Sequence, residues 1–286
     1  LPDDEGADDM ASITESRKRW EVARYCLLGI GLVLVAVPFL WILLTAFKRQ
    51  VDAASVPPKL FSPFTSQNIR ALNQNGFVHS LKASVILTTS TTVSTLVFGV
   101  PVGYAFARGK FKGRRFLGAF LLFSRMVPPV IFIIPLFLFF HDLNLVGSYK
   151  GLTLAYMTGL LPFAAWMSAS YFSDVPIELE EAARVDGASR LQSFLKIALP
   201  LAMPGVVSVA LLIGIAAWSE YFIPLILASP NTTPATVGIV SFIGVDSINW
   251  GAMAAGALAL IVPVFIATLL AQRGLLRGLT AGAVKG

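Results

Sequence analysis

Six charged residues crowd between apolar runs in "EEAARVDGASRLQSFLKIALP": Glu180, Glu181, Arg184, Asp186, Arg190 and Lys196. No nucleophile–base pair or metal-ligand set accompanies them, so their chemistry is charge pairing and docking, not bond making. His79 and His141 lie far apart, without metal-ligand spacing, and Cys26 has no partner for an intrachain disulfide, so no metal site and no catalytic residue is expected. A phosphate-cradling G-x-x-x-x-G-K-[ST] loop is also missing; "GKFKGRR" at Gly109 has the wrong order and spacing. Two charges border or enter apolar runs. Arg125 lies about ten residues into one, where a central arginine costs about 2.5–3.5 kcal/mol, so it must face protein or water. It either snorkels or pairs within a bundle, or donates to a solute on a path. Glu220, in "WSEY", either accepts from a solute or pairs with a nearby base, and its neighbours Trp218 and Tyr221 either stack on a solute or pack as interfacial anchors.

Local physics shapes the charged insert. Ser173 or Asp174 can cap a helix that accepts Pro176 in its first turn, with Glu178, Glu180 and Glu181 where the macrodipole favours acids. Gly187 suits the left-handed stop, and Ser189 can cap a second short helix, Arg190–Lys196, before Leu199 and Pro200 open the next apolar run. Ala182, Ala183 and Ala188 give shallow relief beside the apolar Leu179, Leu191, Phe194 and Leu195. Such a surface either receives a soluble partner or is a loop whose charges face water.

The surroundings are a membrane protein. Of 286 residues, 56% are hydrophobic and 13% charged, against about 25% charged in soluble domains. The net charge of +6 sits between apolar segments and not along one polar face, which speaks for bilayer topology and against nucleic acid. Six runs reach the roughly 20 residues a spanning helix needs: 25–47, 84–107, 116–140, 151–172, 197–219 and 249–272. The fold class is therefore an all-α polytopic membrane protein, with proline-bent helices around a cavity. Fifteen Lys and Arg fall on the side of the N-terminal flank, the 108–115 loop, the insert and the tail, and six on the other side, which puts both termini and the insert in the cytoplasm. The acidic opening belongs to a flexible tail over 1–19, the membrane domain covers 20–277 with the insert at about 174–196, and 278–286 is a cytoplasmic tail. Outside, residues 68–81 read as an amphipathic interfacial stretch and 220–248 as a packed or partly re-entrant loop. The run "TTSTTVST", Thr88–Thr95, suits hydrogen bonds between helices.

Several motifs carry a family resemblance. Glu181-Ala182-Ala183, Asp186-Gly187-Ala188, then Ile197, Leu199 and Pro200 resemble, at the family spacing, the EAA signature of the permease subunits of ABC importers. The ending "GLTAGAVKG", with Gly278 and Lys285, resembles the tail of the six-span maltose/trehalose-type permease. "NIRALNQNGFVHSLKAS" resembles the segment before its second span, although Ala83 stands where that family commonly has Asn; "WSEY" resembles its Trp-Asn-Glu-Phe, with Ser219 replacing Asn.

The resemblance implies the type I importer fold with the insert as a coupling helix, seated on a cytosolic ATPase with Glu181 pairing to a base. It implies a non-catalytic chain that binds no cofactor, ATP and Mg being held by two copies of the ATPase. A homologous second permease, an extracytoplasmic substrate-binding protein and a prokaryotic cytoplasmic membrane complete the assembly. The cargo would be a disaccharide or oligosaccharide whose hydroxyls Arg125, Trp218, Glu220 and Tyr221 could meet, and the tail would touch the ATPase. The alternatives are another cargo, such as glycerol phosphate or a polyamine, or an ATP-independent secondary transporter, which would need internal repeats or mid-span acids.

Overall fold

Lipid offers the backbone no hydrogen-bond partner, so long apolar runs must satisfy their own amides as helices. The computed structural model describes residues 4–123, 127–244 and 247–283. Its helices are α1 (Asp4–Ala46), α2 (Gln50–Ala53), α3 (Gln67–Gln74), α4 (Phe77–Arg108), α5 (Arg114–Phe123), α6 (Ile133–Asp142), α7 (Tyr149–Asp174), α8 (Ile177–Val185), α9 (Arg190–Ser193), α10 (Leu199–Trp218), α11 (Phe222–Leu227), α12 (Ala235–Gly238) and α13 (Trp250–Ala283). Among the described residues, five stretches are long and apolar enough to cross a membrane: Trp20–Ala46, Phe77–Arg108, Tyr149–Asp174, Arg190–Trp218 and Trp250–Leu269.

The expected third span, 116–140, is not one helix. α5 ends at Phe123, and a 3₁₀ turn over Pro129–Phe132 leads into α6. Pro128 and Pro129 remove two successive amide donors, and their rings clash with a preceding helical turn, so the helix breaks there instead of bending. α1 starts at Asp4, inside the segment read as a flexible tail.

The chain divides into two compact units, residues 1–69 with 249–258, and residues 70–248 with 259–286. In the first, the apolar side chains of α1 from Val22 to Val37 are largely exposed. Beyond α1 the Pro-rich segment is held by polar contacts. Buried Asn68 donates to the carbonyls of Ala46 (2.9 Å) and Lys48 (2.7 Å), taking up carbonyls left free at the helix end. Buried Asp52 accepts from Lys59 Nζ (2.8 Å), Ser62 Oγ (2.7 Å) and Arg49 Nε (3.2 Å). The hydrogen bonds from Lys59 and Ser62 hold its carboxyl well below the ordinary range, at about 2.

The second unit is built on α4 against α7. Gly99 and Gly103 make this approach possible: a Cβ on Gly103 would stand 2.6 Å from Ser168 Cβ and 2.7 Å from the Ala165 carbonyl oxygen, and one on Gly99 2.6 Å from Ala164 Cβ. Small residues four apart let membrane helices meet along their backbones. Ser90 and Thr153 hydroxyls hydrogen-bond across this seam at 2.8 Å. The rest of the threonine run behaves differently from expectation: Thr88, Thr91, Thr92 and Thr95 Oγ1 are buried without a hydrogen-bond partner among the described residues. α10 closes the core with Val209 and Ile213 against Leu87, Leu152 and Tyr156.

The interfacial stretch is shorter than expected. α3 ends at Gln74, Gly76 turns with φ 72°, and Phe77–Leu81 already belong to α4. The 220–248 segment folds into α11, α12 and a 3₁₀ turn, Ile239–Phe242. It is pinned by Ser229 Oγ donating to the Gly147 carbonyl (2.9 Å), by Ala235 N donating to Ser84 Oγ (2.8 Å), and by His79 Nε2 and Tyr149 OH at the Asn231 carbonyl (3.0 and 3.2 Å).

Candidate functional site

The charged insert is a helical hairpin. α7 runs through Ser173 and Asp174, so neither caps the next helix; Ser173 Oγ instead donates to the Ala169 carbonyl at 2.8 Å. The chain leaves helical geometry at Val175, the residue before Pro176, and α8 begins at Ile177. It carries Glu178 and Glu180 in its first turn and Arg184 in its last, the order the macrodipole favours. Gly187, at φ 93°, ends it. The Ala188 amide donates to the Ala183 carbonyl (2.9 Å) and the Gly187 amide to Arg184 (3.1 Å), the paired bonds of a Schellman motif. Ser189 then caps α9 through a reciprocal box with Gln192, at 3.2 and 2.8 Å.

The second arm is not a separate helix ending before Leu199 and Pro200. A π-helical turn, Phe194–Ala198, joins α9 to α10, making Arg190–Trp218 continuous over 29 residues. The turn buries Phe194, which packs with Phe172 and the ring of Tyr104.

Adjacent glutamates take opposite roles. Glu180 is buried: Arg108 Nε donates to its Oε1 at 2.7 Å and Tyr104 OH donates to its Oε2. Arg108 also donates to the Val175 carbonyl at 2.6 Å, so one guanidinium ties the end of α4 to both the chain reversal and α8. Reading Glu180 as one more surface charge missed this clamp. A clue was available, since Tyr104 and Arg108 are four apart and share one face of α4. Glu181 is exposed, and no ion pair reaches it among the described residues. Ala182, Asp186, Gly187 and Pro200 are also exposed, while Ala183, Ala188, Ile197 and Leu199 are half-buried. Val185 and Leu191, 87% and 65% exposed, leave an uncovered apolar side chain on each arm, Val185 one turn along α8 from Glu181.

Among the described path candidates, Trp218 and Glu220 border different cavities. Arg125 and Lys285 lie outside the described residues, and Gly278 lies in the helical backbone of α13. Glu220 Oε1 accepts from the amides of Tyr221, Phe222 and Ile223 at 3.2, 3.0 and 3.2 Å, so it is held by the first turn of α11 and not by an outer-loop base. It borders a cavity of about 470 Å³ with Tyr156, Thr158 and Phe132. Trp218 donates Nε1 to the Leu260 carbonyl at 3.0 Å and borders a separate cavity of about 280 Å³. The Tyr221 ring packs edge-on against Phe222 at 5.6 Å.

Known proteins are similar to this chain over most of its length. The family model described as a binding-protein-dependent transport system inner membrane component matches residues 99–273. The trehalose/maltose transport system permease protein MalG of Thermococcus litoralis is 35% identical over 278 residues, covering 94% of this chain and 99% of that protein. The diacetylchitobiose uptake system permease protein DasC of Streptomyces coelicolor is 36% identical over 275 residues, covering 93% and 97%. A chain from the crystal structure of a bacterial ABC transporter that imports the acidic polysaccharide alginate superposes with a TM-score of 0.77 at 25% identity, covering 90% of this chain and 97% of that one.

Proposed function

Because this chain belongs to the family of binding-protein-dependent transport system inner membrane components, we propose that it is the permease subunit of an ATP-driven sugar importer and that its helical hairpin receives the ATPase. The carrying observation is the division of labour at Glu180 and Glu181: one carboxylate fixes the hairpin to α4, and the next is presented to solvent one helical turn from the exposed Val185. A docking element that transmits force needs both a fixed base and a free face.

In this reading Glu181, Ala182 and Ala183 meet a basic, concave surface of a cytosolic ATPase, two copies of which hold ATP and Mg. The Schellman turn at Asp186, Gly187 and Ala188 keeps the arms apart, and Ile197, Leu199 and Pro200 carry the movement into α10. A homologous second permease completes the pathway, and an extracytoplasmic binding protein delivers a disaccharide or oligosaccharide, the kind of cargo named for the relatives. The Lys and Arg distribution supports a cytoplasmic position for both termini and the hairpin, and Gly278 and Lys285 lie on the tail that would reach the ATPase.

The test uses the whole complex reconstituted with its binding protein. Glu181→Ala should leave ATP hydrolysis running while abolishing its stimulation by sugar-loaded binding protein, with transport falling at least about tenfold, the worth of one lost charge-assisted hydrogen bond. Unchanged stimulation would refute the docking role.

A further inference from the structure

From the end of α4 to the first turn of α5 the chain carries Arg108, Lys110, Lys112, Arg114 and Arg115, with no acid among them. Arg108 is occupied by Glu180 and the Val175 carbonyl. Among the described residues, Arg114 has a single 3.5 Å contact, with the Gly109 carbonyl, at the limit of a hydrogen bond. Among the described residues, no carboxylate forms an ion pair with Lys110, Lys112, Arg114 or Arg115.

Membrane topology accounts for positive charge at this end of the spans. It does not account for the shape beside the charge. Arg114 and Arg115 border a cavity of about 540 Å³ between α5 and the C-terminal ends of α4 and α7. Phe106 and Trp166 give it an aromatic wall, Ser170 a hydroxyl, and Gly118 an open flank where a Cβ would meet nothing within 4 Å.

The ligand must satisfy both halves of this site. Guanidinium groups bind phosphate oxygens in a fork geometry, which calls for an anion. A small soluble anion gains nothing from Phe106 and Trp166, while a zwitterionic headgroup brings its own cation next to Arg114 and Arg115. We propose that this cavity binds the headgroup of an anionic phospholipid of the phosphatidylglycerol class, its phosphate on Arg114 and Arg115 and its glycerol and first acyl carbons along Phe106 and Trp166. The site rests on the reading of this turn as cytoplasmic, but not on coupling or on sugar as cargo.

The complete transporter is placed in nanodiscs of equal phosphatidylglycerol and phosphatidylcholine, and lipids retained on release are counted by native mass spectrometry. Wild type should keep phosphatidylglycerol selectively. Each base near an anionic surface is worth about fivefold, so R114Q/R115Q should cut that preference about 25-fold. Gly118→Leu, which keeps both charges and fills the flank, should also weaken it, while R114K/R115K should retain part. Equal retention in R114Q/R115Q, or no effect of Gly118→Leu, overturns the proposal. Displacement of the lipid by millimolar inorganic phosphate would assign the site to a free anion and overturn it too. So would loss of ATPase subunit from R114Q/R115Q with lipid unchanged, which would make the patch a protein interface. Lipid retention is read without sugar or ATP, so a failed coupling test leaves this result standing.

Discussion

Replacing Arg108 by Met separates the clamp from everything else the hairpin does. The variant keeps an unbranched side chain at the end of α4 but removes the guanidinium from Glu180 and from the Val175 carbonyl. The side chains of Arg108 and Glu180 are only 15% and 6% exposed, so water replaces the lost bonds poorly, and leaving one charge of a buried pair costs about 3–5 kcal/mol. The destabilisation of the docked hairpin should therefore approach about 3–5 kcal/mol. Hydrogen exchange followed by mass spectrometry in nanodiscs, corrected for intrinsic rates, reads this directly. Protection of residues 177–193 should fall by at least about two orders of magnitude, while the α4–α7 seam near Gly99 and Gly103 stays protected. Glu180→Gln, which leaves Arg108 free to turn toward solvent, should cost less. Protection within twofold of wild type, or an equal loss of protection at the α4–α7 seam, would refute the clamp.

Two further outcomes test the fold around the site. The Asp52 carboxyl should titrate near 2 by carbon NMR and move back toward about 3.9 in Lys59→Ala. Because its folded value is lowered, the stability it lends the 48–64 segment is present above the unfolded value of about 3.9 and is lost as pH falls through about 2. Gly103→Val should lower the thermal midpoint of the assembled complex, since its Cβ would meet Ser168 Cβ and the Ala165 carbonyl below 3 Å, an overpacking cost of about 1–3 kcal/mol or more. Gly214→Ala, where the nearest atom is Thr92 Oγ1 at 3.7 Å, should be close to neutral by the same measurement.

Length and apolarity sufficed to find the spans that are single helices, because a 20-residue apolar segment in lipid has few alternatives. They failed for 116–140, since prolines occur in both bent and broken spans and composition does not say whether neighbours re-satisfy the freed carbonyls. The hairpin and its Gly187 turn were legible because caps and left-handed stops are local. Which of Glu180 and Glu181 points inward was not, because that depends on how α8 sits against Tyr104 and Arg108, some seventy positions away in the chain. The same limit hid the role of Glu220, whose type suggested a solute or an ion pair, whereas its acceptor oxygen closes on three backbone amides. The Leu199-Pro200 pair read as an entrance to a new helix; the wide π turn just before it lets one helix run on through the proline.

That uninterrupted run gives the hairpin a long reach. Twenty-nine helical residues at 1.5 Å each make a rod of about 43 Å, rooted beside the Glu180 clamp and ending two residues short of Glu220. A tilt of about 10° at its root would carry the far tip through about 7 Å, more than the width of a pyranose ring, by geometry alone. With no loop between its ends to absorb the displacement, a small push at the root would be carried undiminished to the tip.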